Sequence, residues 1–203
     1  MAFLNQRLGP YPYTELDFVS VPVGALGVEY PGIISLNLAF YDPQDDSLPE
    51  SWFESVVAHE VVHQWFYGVV GNDQLDDPWL DESLAQYLTL RYFADRYGPQ
   101  GADGYRQSLL DRWDRVERAS IPIGLPVRGY TPLEYGAIVY GRGGLFFEVL
   151  AEALGQPAAD EFLRDYVQSQ RWGIATPGSL QALAEAHCDC DLDALFQDWV
   201  SPD

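Results

Sequence analysis

Apolar positions in this chain fall into two regimes. Over the first forty residues they come in short runs broken by Pro and Gly, at Leu16 to Val21, Gly27 to Tyr30 and Ile33 to Leu38, and predict short strands. Beyond Ser51 the spacing becomes helical. Trp52, Phe53, Val56, Val57, Val61, Val62, Trp65 and Phe66 make the first helix apolar on most sides, as expected of a helix buried in a core. Ser51 and Glu54 read as its capping box and Gly68 as its stop. A second helix starts with Asp77 as cap and Pro78 in the first helical position, carries Leu80, Leu84, Ala85, Leu88 and Tyr92, and ends at Gly98-Pro99. Another runs through Leu109, Leu110, Trp113 and Val116, and Thr131-Pro132-Leu133-Glu134 is a further capping-box start. Later helices are expected over 146–154, 158–170, 179–186 and 192–200. Strands followed by helices predict a mainly helical α+β fold with a small N-terminal sheet. The 203 residues are enough for one good core, read here as a single domain over 1–203.

Charge narrows the partners. Acidic residues number 31 against 11 basic ones, all Arg, for a net charge of -20. A field of that sign repels phosphate and anionic lipid, so nucleic acid is not an expected partner, and peptides with cationic amino termini are favoured. Without Lys there is no amine nucleophile. No apolar run is long enough to span a membrane, and the opening MAFLNQRLGPYPY lacks the regions of a signal peptide. Cys188 and Cys190 are expected as free thiols in a turn between the last two helices, which suits a reducing compartment such as the cytoplasm. With His187 they make an incomplete set for a second metal site.

The chemistry concentrates in His59-Glu60-Val61-Val62-His63. Residues four apart on a helix differ by only about 40° around its axis, so both imidazoles can face one ion. Glu60 lies about 100° round from His59, better placed to reach a water beside the metal than to join the ligand row. This is the H-E-x-x-H pattern, in which two His bind zinc and the Glu is general base. A catalytic zinc needs a third protein ligand. Position 69, where an elongated motif would have His, is Val69, and His187 is distant. Asp73, Asp76, Asp77, Asp81 and Glu82 are the acidic candidates, and periodicity does not choose between Asp81 and Glu82.

The segment HEVVHQWFYGVVGNDQLDDPWLDESLAQY, from His59 to Tyr87, resembles the zinc aminopeptidases of the membrane alanyl aminopeptidase and leukotriene A4 hydrolase family, gluzincins with a thermolysin-like catalytic domain. That family carries H-E-x-x-H, eighteen residues and then Glu, and eighteen residues separate His63 from Glu82. The resemblance therefore implies one zinc ion held by His59, His63 and Glu82, with Asp81 and Ser83 standing where the family often has Asn and Gly. Gly27-Val28-Glu29-Tyr30-Pro31-Gly32 resembles the family's G-x-M-E-N edge strand, whose Glu holds the substrate's free amino terminus, which implies that role for Glu29. Tyr135 to Gly144 looks like the Y-x-x-x-x-Y-x-K-G signature. By that match Tyr140 is the catalytic Tyr that donates to the oxyanion and Tyr135 its neighbour in the pocket, while Arg142 replaces a Lys. In the family a β-rich domain precedes the catalytic one, and Leu8 to Tyr13 resembles the point where the catalytic part begins. The implied activity is hydrolysis of peptide bonds with release of amino-terminal residues. The alternatives are an endopeptidase on the same scaffold and a non-catalytic interaction module.

Overall fold

The structure, a computed structural model, describes residues 1–42, 48 and 50–201, the side chains at 50 and 51 excepted. Three strands, β1 (Asp17–Val21), β2 (Gly27–Tyr30) and β3 (Ile33–Asn37), form a sheet in the order β1-β3-β2. β3 pairs in parallel with β1 and antiparallel with β2. Alternation along β3 turns Ile34 and Leu36 into the core, both without exposed surface. Their register partners on β2 are Glu29 and Gly27, which therefore share that inward face of an edge strand.

Helices make up the rest. The expected apolar helix is α2 (Glu50–Val62), which packs against β2. It ends six residues before Gly68, because the chain tightens: Gln64 and Trp65 donate their N–H groups to Val61 and Val62, three residues back. Gln64, fully buried, then ties the helix end to the sheet. Its amide donates to Tyr30 O at 3.0 Å and accepts from Gly32 N–H at 2.9 Å. The expected capping box at Ser51 lies outside the described side chains.

α3 (Trp79–Asp114) bends at Gly98, whose φ of 67° only glycine adopts without strain. Its second arm folds back on the first, stacking Tyr105 on Phe93 with ring centroids 5.2 Å apart. Asp77 does not cap this helix; Pro78 holds the N-cap position without a side-chain bond. Asp81, within the first turn, accepts from Glu82 N–H through Oδ1 at 2.8 Å. After α4 (Pro132–Ala137), capped in both directions by Thr131 and Glu134 as expected, comes a π-helical turn at Ile138–Arg142. α5 (Gly143–Leu154), α6 (Gln156–Ser169), α7 (Pro177–Cys188) and α8 (Asp193–Trp199) follow close to their expected places. One element went unread: α1 (Ala2–Leu8) buries Phe3, Leu4 and Leu8, but two helical turns carry too little periodicity to stand out in sequence. Trp65, Trp79, Leu84, Leu88 and Phe146 lie at the centre of the core formed by α2, α3 and α5.

Two expectations about the C-terminal region are corrected. Cys188 and Cys190 are joined as a disulfide rather than free. α7 ends at Cys188 and Asp189 adopts a left-handed conformation, φ 50°, which turns the chain back and brings the two Cα atoms to 5.1 Å. The free-thiol argument for a cytoplasmic setting falls with it, and His187 faces Asp165 at 3.2 Å. Among the described residues no helix is long and apolar enough to cross a membrane.

Arg142, where the resemblance expects Lys, has a structural role. Its buried guanidinium donates to Ile121 O, Trp199 O and Asp198 O at 3.0, 2.7 and 2.9 Å and lies 4.6 Å from the Trp199 ring centre. A Lys ammonium on a single stem does not span three carbonyls. Arg142→Lys is expected to cost about 2 kcal/mol or more of stability, the scale of a charge-assisted hydrogen bond left unmade. The midpoint of urea unfolding reads the loss, and an unchanged midpoint would refute the anchoring role.

Candidate metal centre and catalytic cleft

His59 and His63 stand one turn apart at the end of α2, with ring centroids 4.7 Å apart. Glu82, in the first turn of α3, enters from the opposite side. His59 Nε2 lies 3.1 Å from Glu82 Oε2 and 3.1 Å from His63 Nε2, and the third edge, His63 Nε2 to Glu82 Oε2, is 3.4 Å. Ligands about 2.1 Å from a tetrahedral zinc are about 3.4 Å from one another, so this donor triangle has nearly the size a zinc ion requires. The three residues form a candidate metal-binding group by chemistry as well as distance. His63 Nδ1 donates to Phe66 O at 2.9 Å, which fixes the ring with Nε2 toward the triangle. The Gln86 amide nitrogen lies 3.2 Å from His59 Nδ1. Gln86 is itself fixed by Tyr105 and Arg112, which donate to its Oε1 at 2.7 and 2.9 Å.

Electrostatics agree with this arrangement. Burial pulls His59 down to about 4, so it is a neutral ligand at ordinary pH. For Glu82 burial alone would raise the pKa, but hydrogen bonds from His59 and His63 outweigh it and hold the carboxyl well below its usual range. His63 is opposed by burial yet raised by its bond to Glu82. Asp81, the rival candidate, sits on the other side: its Oδ2 is 4.0 Å from His63 Nδ1, and its oxygens accept from Asn72, Gln74 and the Glu82 backbone. Burial and the neighbouring Glu82 charge raise it to about 7.

Glu60 is buried, and its Oε2 has no hydrogen-bond partner among the described residues. Burial first, and the charges of Glu29 and Glu82 next, raise its pKa to about 8. A carboxyl so placed is suited to taking up and returning a proton. Gly27 explains how it fits: a Cβ there would come within 2.5 Å of Glu60 Oε1, so only glycine lets strand and carboxylate approach so closely. Glu29, half-buried on the same strand face, shares with His59, Glu60, Glu82, Arg112 and Tyr140 a cavity of about 260 Å³.

Tyr140 donates its hydroxyl to Glu82 Oε1. Burial and the Glu82 charge push its pKa well above that of a free phenol, so it keeps its proton. The π turn aims it, because Ser83 Oγ donates to Val139 O at 2.7 Å and pins that turn onto α3. Tyr135 packs edge-on against Tyr140 with centroids 5.7 Å apart, and burial and the Glu82 charge raise its phenol as well. Of the seven residues singled out in the sequence, Glu29, His59, Glu60, Glu82 and Tyr140 line this cavity, His63 stands against His59 and Tyr135 against Tyr140. Sequence reasoning missed Gln86 and Arg112. Gln86 lies one helical turn after Glu82 and carried a spacing signal. Arg112 carried none, since the bend at Gly98 alone brings it back.

Comparison with known proteins places this geometry. Aminopeptidase 2 of Candida albicans is 27% identical over 198 residues, covering 92% of this chain and 21% of that protein. Aminopeptidase N of Lactobacillus delbrueckii subsp. lactis is 25% identical over 202 residues, covering 94% of this chain and 24% of that protein. The crystal structure of an M1 zinc metallopeptidase from Deinococcus radiodurans superposes with a TM-score of 0.70 at 26% identity, covering 98% of this chain and 42% of that one. The chain thus spans about a quarter or less of these curated relatives' length. Residues 1–199 match the peptidase family M1 domain, over nearly the whole length of the chain, and the chain belongs to that family.

Proposed function

We propose that this chain is the catalytic unit of a zinc-dependent aminopeptidase, which holds one zinc ion on His59, His63 and Glu82 and releases residues from peptides with a free amino terminus. The observation that carries the reading is the donor triangle, 3.1 to 3.4 Å on each edge, beside the buried and partnerless Glu60 oxygen.

Zinc, when bound, supplies Lewis acidity, which polarises a carbonyl and lowers the pKa of water. Glu60 takes the proton of the attacking water and returns it to the departing amine. Tyr140, protonated and held by the π turn, donates to the carbonyl oxygen as negative charge develops there, the point in the reaction at which a preorganised donor contributes most. Tyr135 keeps its ring in place. Glu29 meets the substrate ammonium with a charge-assisted hydrogen bond, which sets the first peptide bond, not an internal one, at the donor triangle.

Three outcomes test these roles. Glu60→Gln is expected to bind zinc in one-to-one ratio by metal analysis while turnover falls about 10²- to 10⁴-fold, the usual contribution of a general base; turnover at the unsubstituted rate would reject the assignment. Tyr140→Phe should lower kcat about 10²- to 10³-fold, the scale of one lost oxyanion donor, with zinc content and KM little changed. An aminoacyl reporter with a free amine should be cleaved and its N-acetyl form left intact, with Glu29→Gln raising KM for the free amine about tenfold, in keeping with loss of one charge-assisted bond. Equal cleavage of the acetylated reporter would identify an endopeptidase instead.

A further inference from the structure

The cleft does not stop at the donor triangle. Past Tyr140 it opens into a larger space of about 660 Å³ that has Leu26, Val56, Arg112 and Tyr140 as walls in common with the inner cavity. Glu29, His59 and Glu82 line only the inner part; Arg115 lines only the outer part. Arg112 and Arg115 are three residues apart at the C-terminal end of α3, hence on one face and about 4.5 Å apart along its axis.

These two arginines differ from most others in the chain. Arg7, Arg91, Arg96, Arg106, Arg118 and Arg128 each pair with a carboxylate. Among the described residues neither Arg112 nor Arg115 does. Arg112 donates to neutral oxygens, Gln86 Oε1 at 2.9 Å and Tyr140 O at 3.3 Å. Asp111, on the wall of the same outer space, accepts from Gln107 at 2.8 Å. In a chain with 31 acidic residues and 11 basic ones, two guanidinium groups without a carboxylate at one end of a cleft form an anion subsite.

We infer that Arg112 and Arg115 receive the free α-carboxylate of the substrate, so that the chain's substrates are short peptides with an unblocked carboxyl terminus. The inference rests on the proposed aminopeptidase reading, which sets the direction of the peptide. With its ammonium at Glu29 and its first carbonyl at the donor triangle, the remainder of the peptide passes Tyr140 into the outer space. Each extended residue advances about 3.3–3.6 Å. The carboxylate of a short peptide bound in that direction therefore enters the outer space lined by Arg112 and Arg115, whereas a long chain carries its carboxylate out of it.

The test compares Leu-Gly-Gly with its C-terminal amide on the zinc-loaded chain. The acid is expected to be cleaved with a kcat/KM about tenfold or more above the amide, the effect of a charge-assisted bond to a carboxylate. Arg115→Gln should bring the ratio toward one, Arg115→Lys should retain part of it, and Arg164→Gln, which removes the same charge on α6, should leave it intact. Binding is read separately by calorimetry in the Glu60→Gln background, where the acid should bind about tenfold more tightly than the amide for the same reason. Equal cleavage and equal binding of acid and amide would overturn the carboxylate subsite and leave the aminopeptidase reading standing. Absence of cleavage of both, with tighter binding of the acid that Arg115→Gln abolishes, would overturn the reading of function and keep the subsite.

Discussion

Three metal-ligating atoms converging on one buried point are the constraint around which this structure is organised. Two imidazole nitrogens and a carboxylate oxygen crowd within 3.4 Å of one another at the meeting of α2 and α3. Burial of polar groups is costly unless each finds a partner, and here Glu82 is the shared partner of both histidines while their Nε2 atoms face each other at 3.1 Å. A divalent cation meets all three at once. Behind His63, Phe66 O accepts from Nδ1 and holds that ring, and the Gln86 amide lies against Nδ1 of His59.

Much of the surrounding fold keeps that point in register. Gln64 fixes the sheet to the end of α2, and the sheet carries Gly27 and Glu29 on its inward face. Ser83, next to the third donor, holds the Val139 carbonyl and with it the π turn that presents Tyr140. Arg142, at the end of the same turn, is tied to the carbonyls of α8 and of the segment before α4. The family resemblance at Ser83 and Arg142 is inexact, and at both positions the departing residue makes a hydrogen bond that the expected Gly or Lys would not make in the same way.

The cleft is electrically asymmetric. Glu29, Glu60 and Glu82 line only the inner cavity, Arg112 lines both parts, and Arg115 lines the outer space together with Asp111. A net charge of -20 sets the background against which that asymmetry operates. Under the proposed function, such a field orients a zwitterion along the cleft, ammonium inward and carboxylate outward.

Local geometry made a good part of this legible before any fold was known. A four-residue spacing on one apolar helix places His59 and His63 side by side because helical periodicity is a property of the segment alone. Short apolar runs between Pro and Gly mark the three strands, and Thr131 with Glu134 marks a helix start, for the same local reason. Resemblance, not periodicity, chose Glu82 over Asp81, since two adjacent carboxylates at a helix start look alike until one of them faces a histidine. Tertiary structure alone decided what depends on segments distant in sequence. The return of α3 at Gly98 brings Arg112 and Tyr105 to Gln86. A strand glycine becomes the seat of the Glu60 carboxylate. The left-handed turn at Asp189 closes a disulfide where free thiols were expected. Sequence by itself determined which residue types could bind a metal and where helices would present them; only packing decided which side chains face one another, because that follows from how buried surfaces close on each other in three dimensions.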